Sequence, residues 1–253
     1  MEALALRENI LNYLASEGAA VTGIYTGDLT GVEGGYVAGE FLKEAGSCVV
    51  FGVPIPRGVL YAGDGNLKVY WRYCNTEYRR VDQVSNRLCQ MIEAEGGRAL
   101  PIYGCFPWNV EGRDFYGVLP LVRLAEMAGL GQVSRSGLLA TRRYGTRVLL
   151  GGVVTTAGLE PGENLAEAVC PQDCTACADA CPAKAIQNDG KVRHDKCLRY
   201  FSASPMLDAL LGDTRIKSRY SFDSLLHVAG VDDHGVYSCA ECMKACPLNT
   251  ASS

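Results

Sequence analysis

Cys170-x3-Cys174-x2-Cys177-x3-Cys181-Pro182 and the later Cys239-x2-Cys242-x3-Cys246-Pro247, with Cys197 alone between them, decide how this sequence is read. A [4Fe–4S] cube takes four thiolates, and a short loop can present three of them. In two-cluster ferredoxins the fourth cysteine, the one followed by proline, ligates the other cube. Two Cys-x3-Cys-Pro endings therefore predict two cubes with crossed ligation. Cys170, Cys174, Cys177 and Cys246 are expected around one, and Cys181, Cys197, Cys239 and Cys242 around the other. The first gap holds three residues where the bacterial ferredoxin pattern has two, and Cys197 stands far from Cys239. Structural zinc also uses paired Cys-x2-Cys, but it gives no reason for proline after both motifs. A disulfide framework belongs to shorter secreted chains.

The chain has 253 residues, of which 48% are hydrophobic, enough for one large core or two modest ones. A formal net charge of −4 gives no long-range pull on a polyanion, so nucleic acid is not expected as a partner. No apolar run approaches the roughly 18 residues of a membrane helix. Residues 1–16 read as a mixed helix rather than a secretory signal. The expected setting is the reducing cytoplasm, with no membrane association.

Outward from the cysteines, the pattern is a mixture of helices and strands. Glu2–Ser16 reads as a helix, Val21–Tyr25 and Cys48–Val53 as strands. Tyr70, Tyr73, Cys74, Val81, Val84, Leu88 and Met91 recur at helical spacing, giving a long amphipathic helix over Tyr70–Ile92 that Gly96 and Gly97 close. A strand over Ala99–Tyr103, a helix over Leu119–Ala128 and a strand over Arg147–Thr155 follow. A polar loop at residues 158–163 marks a boundary, dividing the chain into 1–160 and 161–253. A bare two-cluster carrier needs far fewer residues, so the first part is expected to accept the electrons, bind a cofactor or dock a partner.

Between Arg113 and Arg147 stand six arginines (113, 123, 135, 142, 143 and 147) against Asp114 and Glu126. Such a surplus, Arg135 and Arg147 included, suits an anionic group such as a cofactor phosphate; helix capping and solvated surface arginines are the plainer reading. Gly129-Leu130-Gly131 lacks the full Gly-x-Gly-x-x-Gly pattern, so a Rossmann dinucleotide site is not supported. Cys48, Cys74, Cys89 and Cys105 read as ordinary buried thiols.

The run Ala128-Gly-Leu-Gly131, Ser136-Gly-Leu-Leu139, Tyr144-Gly-x-Arg147 and Leu149-x-Gly-x-Val-x-Thr155, followed by the cysteine motifs and Asp195-Lys-Cys197, resembles the epoxyqueuosine reductase family and, more distantly, reductive dehalogenases. The likeness runs from about Val21 to Asn249. It implies an α+β chain: a nitroreductase-like, cobalamin-binding core over 1–160, then a ferredoxin-like domain with two [4Fe–4S] clusters over 161–253. It further implies that Gly129, Leu130, Gly131, Ser136 and Gly137 approach the corrinoid, and that the eight cysteines carry over one for one. The sequence departs from the family after Gly131, where an aromatic residue, a glycine and a lysine are usual and Gln132, Ser134 and Arg135 stand here. Tyr116-Gly-Val-Leu-Pro120 matches neither of the stretches that bear the family's proton donor. Tyr116 and Asp114 sit near that place and are the candidate donors, with core packing and a surface ion pair to Arg113 as the plainer readings; Tyr36 and Tyr103 lack positional support. The histidines are His194, His227 and His234, all in or near the cluster part, so cobalt would have no histidine from the core.

These readings give a cytoplasmic oxidoreductase that takes electrons from a low-potential donor such as ferredoxin or flavodoxin. It passes them through two clusters to cobalamin and reduces a small-molecule substrate. Epoxyqueuosine in tRNA is not the expected substrate, on net charge and because the sequence runs only seven residues past Cys246. The alternative is an electron-transfer protein that serves a separate corrinoid protein, docking through the arginine-rich loop. A flavin in the core is a third reading.

Overall fold

The computed structural model describes residues 2–29, 32, 38–63, 66–104, 108–111, 114–162, 169–187, 189–201 and 239–250. Two apolar eight-residue strands form its centre. β2 (Ser47–Pro54) and β8 (Val148–Thr155) pair antiparallel from Ser47 opposite Thr155 to Pro54 opposite Val148. Both are buried along nearly their whole length, as strands covered on two faces must be. β1 (Val21–Thr26) lies outside β2 and β3 (Ala99–Ile102) outside β8, both antiparallel, giving the order β1-β2-β8-β3.

Strand alternation sorts the side chains into two cores. Val49, Phe51, Val53 and Val153 face α1 (Glu2–Ser16) and α4 (Asn66–Ala94), where they meet Ile10, Leu14, Val81, Val84, Leu88 and Ile92. Cys48, Val50, Leu150 and Val154 face the other way, toward Leu121, Leu124 and Ala125 of α5 (Leu121–Met127). Gly151 belongs to the first face because α4 lies too close for a side chain: a Cβ there would collide with Val81 and press on Phe51. Helices on both faces of one antiparallel sheet make the described chain a mixed α/β fold.

The long elements stand close to their expected places. α4 begins at Asn66, four residues before the periodicity is visible, and ends where Gly96 takes a φ of +85°. Arg147 is not in a strand; it stands in the turn before β8, and its carbonyl accepts the Ile55 N–H at 2.8 Å. Several elements are too short to show a period: α2 (Ala38–Phe41), α3 (Arg57–Leu60), the hairpin β4 (Trp108–Glu111) and β5 (Asp114–Gly117), and the pair β6 (Gln132–Val133) and β7 (Leu139–Ala140).

The cysteines ride on short helices: α6 (Ala176–Asp179), α7 (His194–Phe201), α8 (Glu241–Ala245) and α9 (Pro247–Thr250). A third apolar cluster seats them, in which Ala240 and Met243 pack among Ile55, Leu60, Tyr70, Cys74 and Leu149. No helix among the described residues is long and apolar enough to cross a membrane.

At Gly23 on β1 a Cβ would run into the Ala128 carbonyl oxygen and Leu130 Cδ1, so the sheet and the end of α5 touch through a bare backbone. Gly23→Ala is expected to cost about 1–3 kcal/mol as overpacking. Gly39→Ala in α2, where nothing lies within 4 Å, is expected to be neutral or stabilising by up to about 1 kcal/mol. Urea midpoints of the two variants check both.

Candidate metal centre

The structure brings the eight cysteines together in two groups. Cys170, Cys174, Cys177 and Cys246 line one cavity, together with Ser134, Ser136, Pro171, Pro247 and Leu248. Burial raises the Cys177 thiol, and the nearby Cys170, Cys174 and Cys246 raise it further. In the second group burial pushes Cys197 up to about 12, with Cys239 and Cys181 adding to it. Cys242 is likewise pushed up to about 12 by burial, then by Cys197, Cys239, Cys177 and Cys181. Thiols crowded and buried in this way hold their protons until a metal draws them off, so loading releases protons. Among the described residues no three His, Cys, Asp or Glu side chains are placed to hold a single ion; a four-iron cube spans its ligands more widely than one ion does.

Local structure fixes each cysteine. Ala185 N–H donates to Cys181 Sγ at 3.3 Å, and a Glu241 backbone N–H donates to Cys239. Cys197 sits one turn into α7, where Asp195 is buried and held by both Nε and Nη2 of Arg193 at 3.0 Å. The Cys197 N–H reaches the Arg193 carbonyl at 3.1 Å, and the Arg193 N–H reaches that of Ala185 at 2.8 Å. That chain of contacts places Cys197 beside Cys181 despite their separation in sequence. Of the histidines, His194 opens α7, while His227 and His234 lie outside the described residues, as do Tyr36 and Cys105.

The segment expected to cradle a corrinoid is held in place by local contacts. Gly129 takes a φ of +79° after α5, its N–H bonding to the Glu126 carbonyl and that of Leu130 to the Ala125 carbonyl, both at 3.0 Å. That is a Schellman helix end, which calls for glycine whatever else is bound. Leu130 is buried in the core, and a Cβ on Gly131 would collide with the Ala140 carbonyl. Beyond them the loop grips the cysteine-bearing part. Gln132 Oε1 accepts the Cys170 N–H at 3.0 Å, Arg135 Nη2 donates to the Gln172 carbonyl at 2.7 Å, and Gly137, with φ +78°, faces Val192. Gln132, standing where the family has an aromatic residue, thus holds the backbone of the first cysteine. Val133 and Arg135 line, with Gln132, Cys170, Pro171, Gln172, Asp189 and Gly190, a cavity of about 340 Å³.

The arginines do not converge on one point. Arg123 pairs with Glu126 at 3.1 Å, and Arg142 and Arg143 are exposed, the latter stacked 5.3 Å from the Tyr144 ring centre. Arg147 is buried and donates to the Ile55 carbonyl. Burial, then Arg57, lowers its pKa. Arg113 lies outside the described residues. Of the candidate donors, Asp114 and Tyr116 stand on β5 opposite Glu111 and Asn109; their side chains lie outside the described part. The sequence reading overlooked Asp82, on α4 next to the buried Val81 and within the long amphipathic pattern. Its carboxyl is pushed up to about 6 by burial, with the Gly104 N–H and Arg79 acting in the opposite direction. Tyr103 lies beside it, donating to Asn86 Oδ1 at 2.9 Å, and is raised by burial and then by the Asp82 charge.

Residues 169–249 match the 4Fe-4S double cluster binding domain family. The epoxyqueuosine reductase of Staphylococcus aureus is 30% identical over 133 residues, 53% of this chain and 30% of that protein. Over that part the chain is similar to the epoxyqueuosine reductases. Among solved structures, epoxyqueuosine reductase with a tRNA-Tyr epoxyqueuosine-modified tRNA stem loop superposes with a TM-score of 0.63 at 21% identity, over 98% of this chain and 66% of that one. A reductive dehalogenase whose structure suggests a mechanism for B12-dependent dehalogenation gives 0.56 at 20% identity, over 77% and 28%. The chain thus has the epoxyqueuosine reductase fold, and its sequence match covers under a third of the curated relative. One expectation is overturned. A modest negative net charge does not exclude nucleic acid, because the epoxyqueuosine reductase of that complex holds a tRNA stem loop; net charge averages over a surface whose local patches do the binding.

Asp82 yields a pH prediction. A folded pKa above the usual carboxylate range means the folded state holds the proton more tightly than the unfolded state. Ionisation therefore removes stability as pH rises from about 4 to about 6. Asp82→Asn is expected to melt higher than the parent at pH 7.5, by an amount on the order of 1–2 kcal/mol after solvent screening. The advantage should shrink toward pH 5. Thermal melts across that range check it, and an advantage that does not vary with pH refutes it.

Proposed function

We propose that this chain is an iron–sulfur reductase of the epoxyqueuosine reductase type. One cube would sit among Cys170, Cys174, Cys177 and Cys246, the other among Cys181, Cys197, Cys239 and Cys242. A nitroreductase-like part before about residue 160 would hold a corrinoid beside the first cube. The observation that carries this is the cavity shared by the first four cysteines with Ser134 and Ser136, which sets that cube against the loop whose sequence resembles the family's corrinoid loop. Gln132 and Arg135, which bond the Cys170 N–H and the Gln172 carbonyl, line a cavity of about 340 Å³ next to Cys170, and their polar side chains are compatible with such a group at its edge. When bound, a corrinoid supplies the low-potential metal centre at which substrate is reduced. The chain's own residues would space and bury the two cubes and give hydrogen bonds to their sulfurs, which together would set their potentials. Asp114 or Tyr116 on β5 would supply the proton, and a small low-potential donor protein the electrons. A reducing cytoplasm suits thiolates that must stay available to iron.

The substrate in this reading is a nucleoside carried on a tRNA-like stem loop. Arg142 and Arg143 stand exposed at the tip of the Thr141–Gly145 turn, with Tyr144 beside them. Guanidinium groups beside an aromatic ring suit phosphate and base contacts. A second reading, an electron carrier serving a separate corrinoid protein, is favoured by the way packing alone accounts for Gly129 and Gly131.

Anaerobic purification from cells supplied with cobalamin separates the two. Stoichiometric cobalt alongside iron and sulfide is expected, and iron without cobalt, even after incubation with cobalamin, would leave the carrier. For the substrate, fluorescence anisotropy with a tRNA anticodon stem loop is expected to show salt-dependent binding. The double variant Arg142→Ala/Arg143→Ala should lower affinity and flatten the slope of log K against log salt by about 1–2. An unchanged slope removes these arginines from the interface.

A further inference from the structure

Lysine is scarce in this chain and unevenly placed. Of its seven lysines three, Lys184, Lys191 and Lys196, fall within thirteen residues between Cys181 and Cys197, and none stands between Lys68 and Lys184. Backbone hydrogen bonds gather them at the second group of cysteines. The Lys184 N–H reaches the Cys181 carbonyl at 3.1 Å, and the next N–H, of Ala185, donates to Cys181 Sγ at 3.3 Å. The Ala185 carbonyl takes the Arg193 N–H at 2.8 Å, and the Arg193 carbonyl takes those of Lys196 and Cys197, both at 3.1 Å. Lys191 precedes Val192, which pairs with Ile186, and its carbonyl accepts the Gln187 N–H at 2.8 Å.

All three side chains are exposed, and none forms an ion pair among the described residues. Neighbouring cations do: Arg193 pairs with Asp195 at 3.0 Å and Lys244 with Glu241 at 2.9 Å. The carboxylates beside the lysines are tied to their own loops. Asp189 accepts the Lys191 N–H at 3.0 Å, and Asp179 accepts the Thr175 hydroxyl at 2.7 Å, while Lys184 Nζ donates to the Asp179 carbonyl at 3.4 Å. The three ammonium groups therefore lead into solvent, on a chain whose formal net charge is −4.

We infer that the face formed by Lys184, Lys191 and Lys196 is the docking site of the electron donor, a small acidic protein, and that electrons enter at the cube bound by Cys181 and Cys197. The inference rests on the two-cube reading above. Ser134 and Ser136 of the sheet-bearing part wall the first group of cysteines, which leaves the second group to meet a donor, and its Cys197 and Cys239 are only half-buried. A carrier that leaves after each electron needs a small contact steered by charge. Lysine suits it, as a hydrated point charge that attracts without the fixed bidentate pairing of arginine. The chain as a whole repels an acidic carrier, so a local basic face decides where one can approach. In the step one electron passes from the reduced carrier to an oxidised cube, and no bond is made or broken.

The test is stopped-flow reduction of the full chain, reconstituted with iron and sulfide, by flavodoxin hydroquinone, an acidic carrier, read from the flavodoxin semiquinone it leaves. The triple variant Lys184→Glu/Lys191→Glu/Lys196→Glu is expected to lower the second-order rate about 10–100-fold at low salt, the gap closing as salt rises. Lys184→Arg/Lys191→Arg/Lys196→Arg keeps the charge and should keep the parent rate. Photoreduced deazaflavin, which is uncharged, should reduce parent and variants alike. If the glutamate variant does not load both cubes, the corresponding glutamine variant serves, with a smaller fall. Both cubes present with the flavodoxin rate unchanged overturns the inference and leaves the two-cube reading standing. So does a parent that accepts electrons from deazaflavin but none from flavodoxin, or a variant whose only loss is affinity for the tRNA stem loop. A parent protein without two cubes overturns that reading and the inference with it.

Discussion

The exchange of hydrogen bonds between Thr146 and Asn249 is the contact on which the arrangement of this molecule turns. It is buried, it uses both hydrogens and the oxygen of the Asn249 amide, and it joins the turn before the central strand β8 to the helix that follows Cys246-Pro247. An unmatched amide in such a place would cost about 1–3 kcal/mol, so either partner alone is a liability. With both present, the cysteine-bearing part is held in register against the sheet. Gln132 on the Cys170 N–H and Arg135 on the Gln172 carbonyl repeat the device at the other cysteine motif. Both motifs thus take their position from the segment 129–147.

This explains why a stretch that reads as a cofactor loop is so rich in special residues. Gly129 ends a helix, Gly131 lets two backbones pass, Gly145 makes room for an amide oxygen, and Gln132 replaces an aromatic residue with a hydrogen-bond acceptor. Each has a structural duty that does not depend on a corrinoid. The same duties put Ser134 and Ser136 on the wall of the cavity that Cys170, Cys174, Cys177 and Cys246 share. A loop that seats one cube is well placed to pass that cube's electrons to whatever lies on its far side.

Much of the fold was legible in the sequence because its main elements are long and strongly patterned. α1 and α4 show their helical period, and β2 and β8 are apolar runs bounded by turn residues. The two-residue strands β6 and β7 and the one-turn helices carry too few residues to show any period. At the candidate site the cysteines were readable from spacing, since thiolate spacing is itself the chemistry. Asn249 was not: three residues past Cys246 it looks like a helix-capping residue, and only the fold brings it to Thr146, 103 positions away in sequence. Asp82 hid in an amphipathic helix among charged neighbours, where nothing local marks a carboxylate that burial keeps protonated to about pH 6. Net charge misled on nucleic acid because it sums the whole chain, whereas Arg142 and Arg143 act at one tip.

The central claim is that the eight cysteines hold two four-iron cubes. Iron and acid-labile sulfide per chain, measured after anaerobic reconstitution of the full protein and gel filtration, test it most directly. The account predicts about eight of each. One or two tightly held zinc ions with no labile sulfide, or iron and sulfide stopping at about four, would contradict it.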